Sequence, residues 1–171
     1  VWQGTYYADL KSQKIEGSFE QDKTFYLYNV GQKKFLNVGG SYDAEPILTN
    51  VGMKMKYSFE ANDGRAYLRT SINNPNYTKG FCLGMAGNIN DTSVPIRVLC
   101  DLPAVITQSG EDKYEYKTQC GWYITPVTPG SRIVYIRNSR RGDVTAYDHL
   151  YYNPSTKRVE VADGQDDDNA R

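Results

Sequence analysis

The run Phe25-Tyr26-Leu27-Tyr28-Asn29-Val30-Gly31-Gln32-Lys33-Lys34-Phe35-Leu36-Asn37-Val38 decides how the rest of this chain is read. Aromatic and β-branched residues from Phe25 to Val30 suit a pleated, half-buried surface. Gly31-Gln32 supplies a two-residue turn, and Lys33 to Val38 returns as the partner strand. Gly39-Gly40-Ser41 then breaks that strand. Further out, the apolar residues come in short runs bounded by Gly, Pro, Asn and Asp, and nowhere at the 3.6-residue period of a helix. The chain reads as all-β.

The same short pattern recurs twice more. Tyr26-Leu27, Phe35-Leu36-Asn37-Val38, Pro46-Ile47-Leu48 and Tyr57-Ser58-Phe59 form the first copy. Tyr67-Leu68, Phe81-Cys82-Leu83-Gly84, Pro95-Ile96-Arg97-Val98 and Trp122-Tyr123-Ile124 form the second. Tyr135-Ile136, His149-Leu150-Tyr151 and Arg158-Val159-Glu160-Val161 form the third. Leu36 and Leu83 are 47 positions apart, whereas Leu83 and Leu150 are 67 apart. The excess of 20 matches the polar segment Asp101 to Cys120, which has no counterpart in the other copies. Three copies of four short strands predict a β-trefoil, a closed barrel that removes exposed sheet edges, with an insertion at 101–120 in the second repeat. The expected layout is a lead-in at 1–23 and a trefoil domain at 24–171, with repeats at about 24–60, 61–125 and 126–171. Leu36, Leu83 and Leu150 are expected at equivalent buried positions.

Composition narrows the function. The chain has 171 residues, enough for one domain with its own core. Twenty basic residues balance twenty acidic ones. That balance removes the electrostatic term that drives nucleic-acid binding and attraction to anionic membranes, so neither partner is expected. No stretch reaches the length of a membrane-spanning helix. The opening Val1-Trp2-Gln3-Gly4 lacks the build of a signal peptide, so any export signal is expected to have been removed. The three cysteines and one histidine argue against structural zinc, and no metal or cofactor is expected. Cys82 and Cys100 flank a turn-rich segment, so they are read either as a disulfide closing one hairpin or as free buried thiols.

Cys82-Leu83-Gly84-Met85 followed by Val94-Pro95-Ile96-Arg97-Val98-Leu99-Cys100 resembles the repeat of the ricin-type β-trefoil lectins. There a Cys-Leu-Asp-Val strand, a Gly-rich loop and a Val-x-Leu-x-x-Cys strand are closed by a disulfide, which the resemblance implies for Cys82 and Cys100. Phe25 to Gly31 with Lys34-Phe35-Leu36 also resembles a tyrosine-rich trefoil-like module common in exported proteins of gut Bacteroidetes. In those modules an Asp-Asn-Ala-x run, here Asp168-Asn169-Ala170-Arg171, leads into a Trp-bearing closing strand. In this chain either that strand lies beyond Arg171 or residues 1–23, with Trp2, Tyr6 and Tyr7, close the barrel.

The departures from the lectin pattern shape the functional expectation. Where the family places an acid, Asn37, Gly84 and Tyr151 stand in the three copies, and the closing Gln-x-Trp is absent. Only the first copy keeps the makings of a sugar site. Asn37 and Asp43 would hydrogen-bond sugar hydroxyls, with Tyr42 as the stacking ring. His149 falls on a strand and is not expected to be catalytic. Carboxylate pairs such as Asp43 and Glu45 arise freely in a chain this acidic, and the cluster from Asp163 to Asp168 reads as a solvated loop. The expectation is a non-catalytic carbohydrate-binding module of a secreted or cell-surface protein, its partner a glycan or surface polysaccharide. The alternative is a protein-interaction or protease-inhibitor trefoil that uses the insertion as a projecting loop.

Overall fold

The computed structural model describes residues 23–39, 41–58, 65–70, 81–86, 97–101, 104–106, 114–116, 120–138 and 148–171. The lead-in, apart from Lys23, lies outside the described residues. The first repeat contributes β1 (Thr24–Phe25), β2 (Tyr28–Asn29), β3 (Lys34–Asn37), β4 (Ile47–Thr49) and β5 (Met55–Ser58). The second contributes β6 (Tyr67–Arg69), β7 (Cys82–Ala86), β8 (Arg97–Asp101) and β11 (Tyr123–Pro126), with β9 (Ala104–Ile106) and β10 (Tyr114–Tyr116) between β8 and β11. The third contributes β12 (Val134–Asn138), β13 (Asp148–Asn153) and β14 (Arg158–Asp163), followed by a short 3-10 turn at Asp168–Ala170.

These strands make a β-trefoil, and the hydrogen-bond registers carry its pseudo-threefold. Leu36 faces Leu48, Leu83 faces Cys100 and Leu150 faces Val161, one pair in each repeat's hairpin. All three leucines are buried in one core with Met55, Leu68, Trp122 and Ile136. The barrel strands repeat the correspondence: Phe25 pairs with Met55 as Ala66 does with Trp122, and Tyr57 faces Leu68 as Ile124 faces Ile136. The equivalence extends to charge. Three residues before Leu48, Cys100 and Val161 stand Glu45, Arg97 and Arg158, and these three meet. Arg158 Nη2 lies 2.5 Å and Arg97 Nε 3.4 Å from Glu45 Oε1. The Arg158 hydrogen bond, against the opposing effect of burial, holds the Glu45 carboxyl below its ordinary range. Because all three side chains are largely solvated, the triad orients the hairpins more than it stabilises them.

A nine-stranded sheet runs in the order β1-β5-β6-β7-β8-β14-β13-β12-β11, and β2-β3-β4 form a smaller sheet. Within the expected insertion, β9 and β10 pair with each other in a sheet of their own. Its two bounding residues belong to the body of the protein instead. Asp101 ends β8 and is buried, and Cys120 is buried against Tyr67 and Cys82.

Two of the hairpin turns are built alike. Lys33 N–H reaches Asn29 O at 2.9 Å, and Lys157 N–H reaches Asn153 O at 2.8 Å. In each turn the Asn Oδ1 accepts backbone N–H groups: from Gln32 in the first, and from Ser155 and Thr156 in the second. Both lysines sit in the left-handed region, at φ 54° and 58°.

Candidate functional site

Asn37, Tyr42 and Asp43 lie at the end of β3 and in the loop that joins it to β4. Asn37 ends β3, and its Oδ1 accepts the Gly39 N–H at 3.0 Å, which leaves its Nδ2 as the remaining donor. Gly39 is required there. Its φ is +87°, and a Cβ would stand 2.7 Å from that of Ala44. The far side of the loop is clamped to the second repeat, with Asp43 N–H on Cys100 O and Cys100 N–H on Ala44 O, both at 2.9 Å. Asp43 adopts φ 66°, a region that Asp tolerates better than most residues. The result is a fixed turn from which Tyr42 projects, 56% exposed.

Asp43 is not a free acceptor, because Arg97 Nη1 lies 3.4 Å from its Oδ1. Beside the exposed ring stands a ladder of alternating charge, Asp43, Arg97, Glu45 and Arg158. Arg97 is the residue that sequence reasoning passed over. It stands on β8, 54 residues from Asp43, and its equivalence to Glu45 and Arg158 emerges only from the strand registers, because matching Pro46-Ile47-Leu48 to Pro95-Ile96-Arg97 in the sequence sets Arg97 against Leu48.

Other expected or excluded groups are accounted for. The implied bridge between Cys82 and Cys100 is not formed, and both are free thiols. The register explains this. Cys82 faces Asp101 while Leu83 faces Cys100, so the two sulfurs point to opposite faces of the β7–β8 hairpin. Cys100 enters the barrel core, and Cys82 joins Tyr67 and Cys120. Burial, with Cys82 and Asp101 adding to it, pushes the Cys100 thiol up to about 12. We expect none of the three thiols to react with Ellman's reagent at mildly alkaline pH until denaturant releases all of them. Rapid labelling of Cys100 in the folded protein would contradict this packing.

His149 packs its ring edge-on against Tyr135, with centroids 5.5 Å apart. Glu160 accepts hydrogen bonds from Tyr151 (3.0 Å), Asn153 (2.9 Å) and Thr156 (2.5 Å), so it braces the β13–β14 hairpin. These bonds hold its carboxyl below the ordinary range despite burial. Among the described residues no cluster of His, Cys, Asp and Glu has the makings of a metal site.

A groove of about 560 Å³ runs between β1 and β12 and is floored by core residues, among them Leu36, Leu48, Ile136 and Leu150. On β12, Val134 to Ile136 pair with β11, and on the opposite side only Arg137 and Asn138 are matched to a strand among the described residues. The groove thus occupies the place that the pseudo-threefold assigns to a sixth barrel strand. We attribute its apolar lining to the barrel core.

Comparison with known proteins agrees with the fold. The chain is similar to a designed threefold-symmetric protein, ThreeFoil, over 86% of its own length and 94% of that chain, at 17% identity and a TM-score of 0.53. No protein-family model matches the chain. No curated protein matches it either.

Proposed function

We propose that this chain is a non-catalytic carbohydrate-binding module of a secreted or cell-surface protein, with its site on the Tyr42 loop. The observation that carries this reading is the exposed Tyr42 ring on a turn locked to the neighbouring repeat. A flat aromatic face that need not be ordered on binding suits the apolar face of a sugar ring. Asn37 Nδ2 and the charged groups of Asp43 and Arg97 supply hydrogen bonds to hydroxyls. The surface is shallow, so affinity is expected to be weak. Titration of neutral mono- and oligosaccharides should show binding that Tyr42→Ala weakens roughly ten-fold or more, with the circular dichroism spectrum unchanged. Absence of binding, or binding indifferent to Tyr42→Ala, would favour the second reading. That reading is a protein partner held by the β9–β10 hairpin, and its support is that these strands pair with each other outside the main sheet.

A further inference from the structure

Repeats 1 and 3 meet along a second cleft, of about 250 Å³, lined by Gln32, Lys34, Ile47, Leu48, Tyr152 and Lys157. Ile47, Leu48 and the Tyr152 ring give it an apolar surface, and Ile47 is 56% exposed. Two features bear on what it could hold.

The first is charge. Arg97, Arg158 and Arg171 are each matched to a carboxylate, whereas neither Lys34 nor Lys157 forms an ion pair among the described residues. In a chain of zero formal charge, this cleft therefore carries two uncompensated cations. The second is backbone. Lys157 is held at φ 58°, where Gly or Asn is the usual occupant. Lys33 takes the same conformation at the equivalent place of the first hairpin, so the turn itself sets it and brings Lys157 to the lip of the cleft.

The geometry points to a binding site for a saccharide bearing an anionic group, a carboxylate or a sulfate. Its apolar ring face would rest on Tyr152 and Ile47, with the anion between the ammonium groups of Lys34 and Lys157. Gln32 is oriented by its own Nε2, which donates to Asn169 Oδ1 at 2.8 Å, so its Oε1 is presented as an acceptor for a sugar hydroxyl. The inference rests on the carbohydrate reading above and goes beyond it in naming a second site and a charge class.

The test is calorimetric titration of the full chain with a galacturonate oligosaccharide, its neutral methyl ester and a sulfated oligosaccharide, at low and high salt. Wild type should bind at least one acidic sugar roughly ten-fold more tightly than the ester, with affinity falling as salt rises. The favoured acid identifies the anion as carboxylate or sulfate. Lys157→Gly should keep or raise the melting temperature, because it releases the left-handed strain, yet weaken the acidic sugar roughly ten-fold. Lys157→Gln, which keeps the strain, should weaken it similarly, and Tyr42→Ala should leave it unchanged. Equal binding of acid and ester, or wild-type affinity in both Lys157 variants, overturns the second site while Tyr42-dependent binding of neutral sugars still upholds the parent reading. If no saccharide of any charge binds, the parent reading fails and this inference with it.

Discussion

Trp122→Ala is expected to remove about 4 kcal/mol of folding stability. The indole is fully buried in the barrel core, and its Nε1 donates to Leu83 O at 2.8 Å, which ties the closing strand of the second repeat to the hairpin that caps it. Truncation opens a cavity that the barrel cannot collapse to fill, and it orphans a buried carbonyl. In a chain of this size that loss corresponds to a fall in melting temperature on the order of 10 °C. Trp122→Phe separates the two contributions, since it keeps most of the ring volume and loses only the donor. That variant should cost about 1–3 kcal/mol. Urea unfolding monitored by circular dichroism gives both values, and a loss below about 1 kcal/mol for the alanine variant would show that the core closes around the gap.

Gly84→Asp, which restores the acid found at this position in ricin-type repeats, is expected to cost about 3 kcal/mol or more instead of creating a sugar site. Gly84 lies on β7 where a Cβ would stand 3.0 Å from Asp101 Cβ and 3.0 Å from Cys120 Sγ. The backbone there is extended, so the constraint is space and not torsion. A carboxylate would also be buried beside the Asp101 carboxylate, with like charges facing each other where water is excluded. Gly84→Ala should show the steric part alone, about 1–2 kcal/mol. Wild-type stability in Gly84→Asp would mean that the second-repeat pocket is open, and the assignment of saccharide binding to the first repeat would then lose its basis.

Both substitutions act on contacts between the second repeat's hairpin and the strand that closes the repeat, and they show where sequence reasoning carries and where it stops. The recurrence of a buried leucine at 36, 83 and 150 was legible because a hydrophobic period and a repeat length are properties of the linear chain. Each copy also has the same local task, one strand with one face to the core. The first hairpin was legible in place for the same reason, yet its turn runs over 30–33, with Asn29 O accepting the Lys33 N–H, and not over Gly31-Gln32 alone.

The candidate site was legible only in part. Asn37, Tyr42 and Asp43 stood out as residue types in a loop, but that Asn37 Oδ1 is engaged with Gly39 and Asp43 with Arg97 depends on how one repeat leans on the next. The cysteines show the limit most directly. A spacing compatible with a bridge says nothing about which face each sulfur takes, and a register offset of one residue sends Cys82 and Cys100 to opposite sides of their hairpin. Strand content, repeat number and the leucine core thus follow from patterns along the chain. Thiol direction, the Glu45–Arg97–Arg158 triad and the lysine-lined cleft arise from register and from the packing of three similar hairpins about one axis, which couple residues more than fifty positions apart.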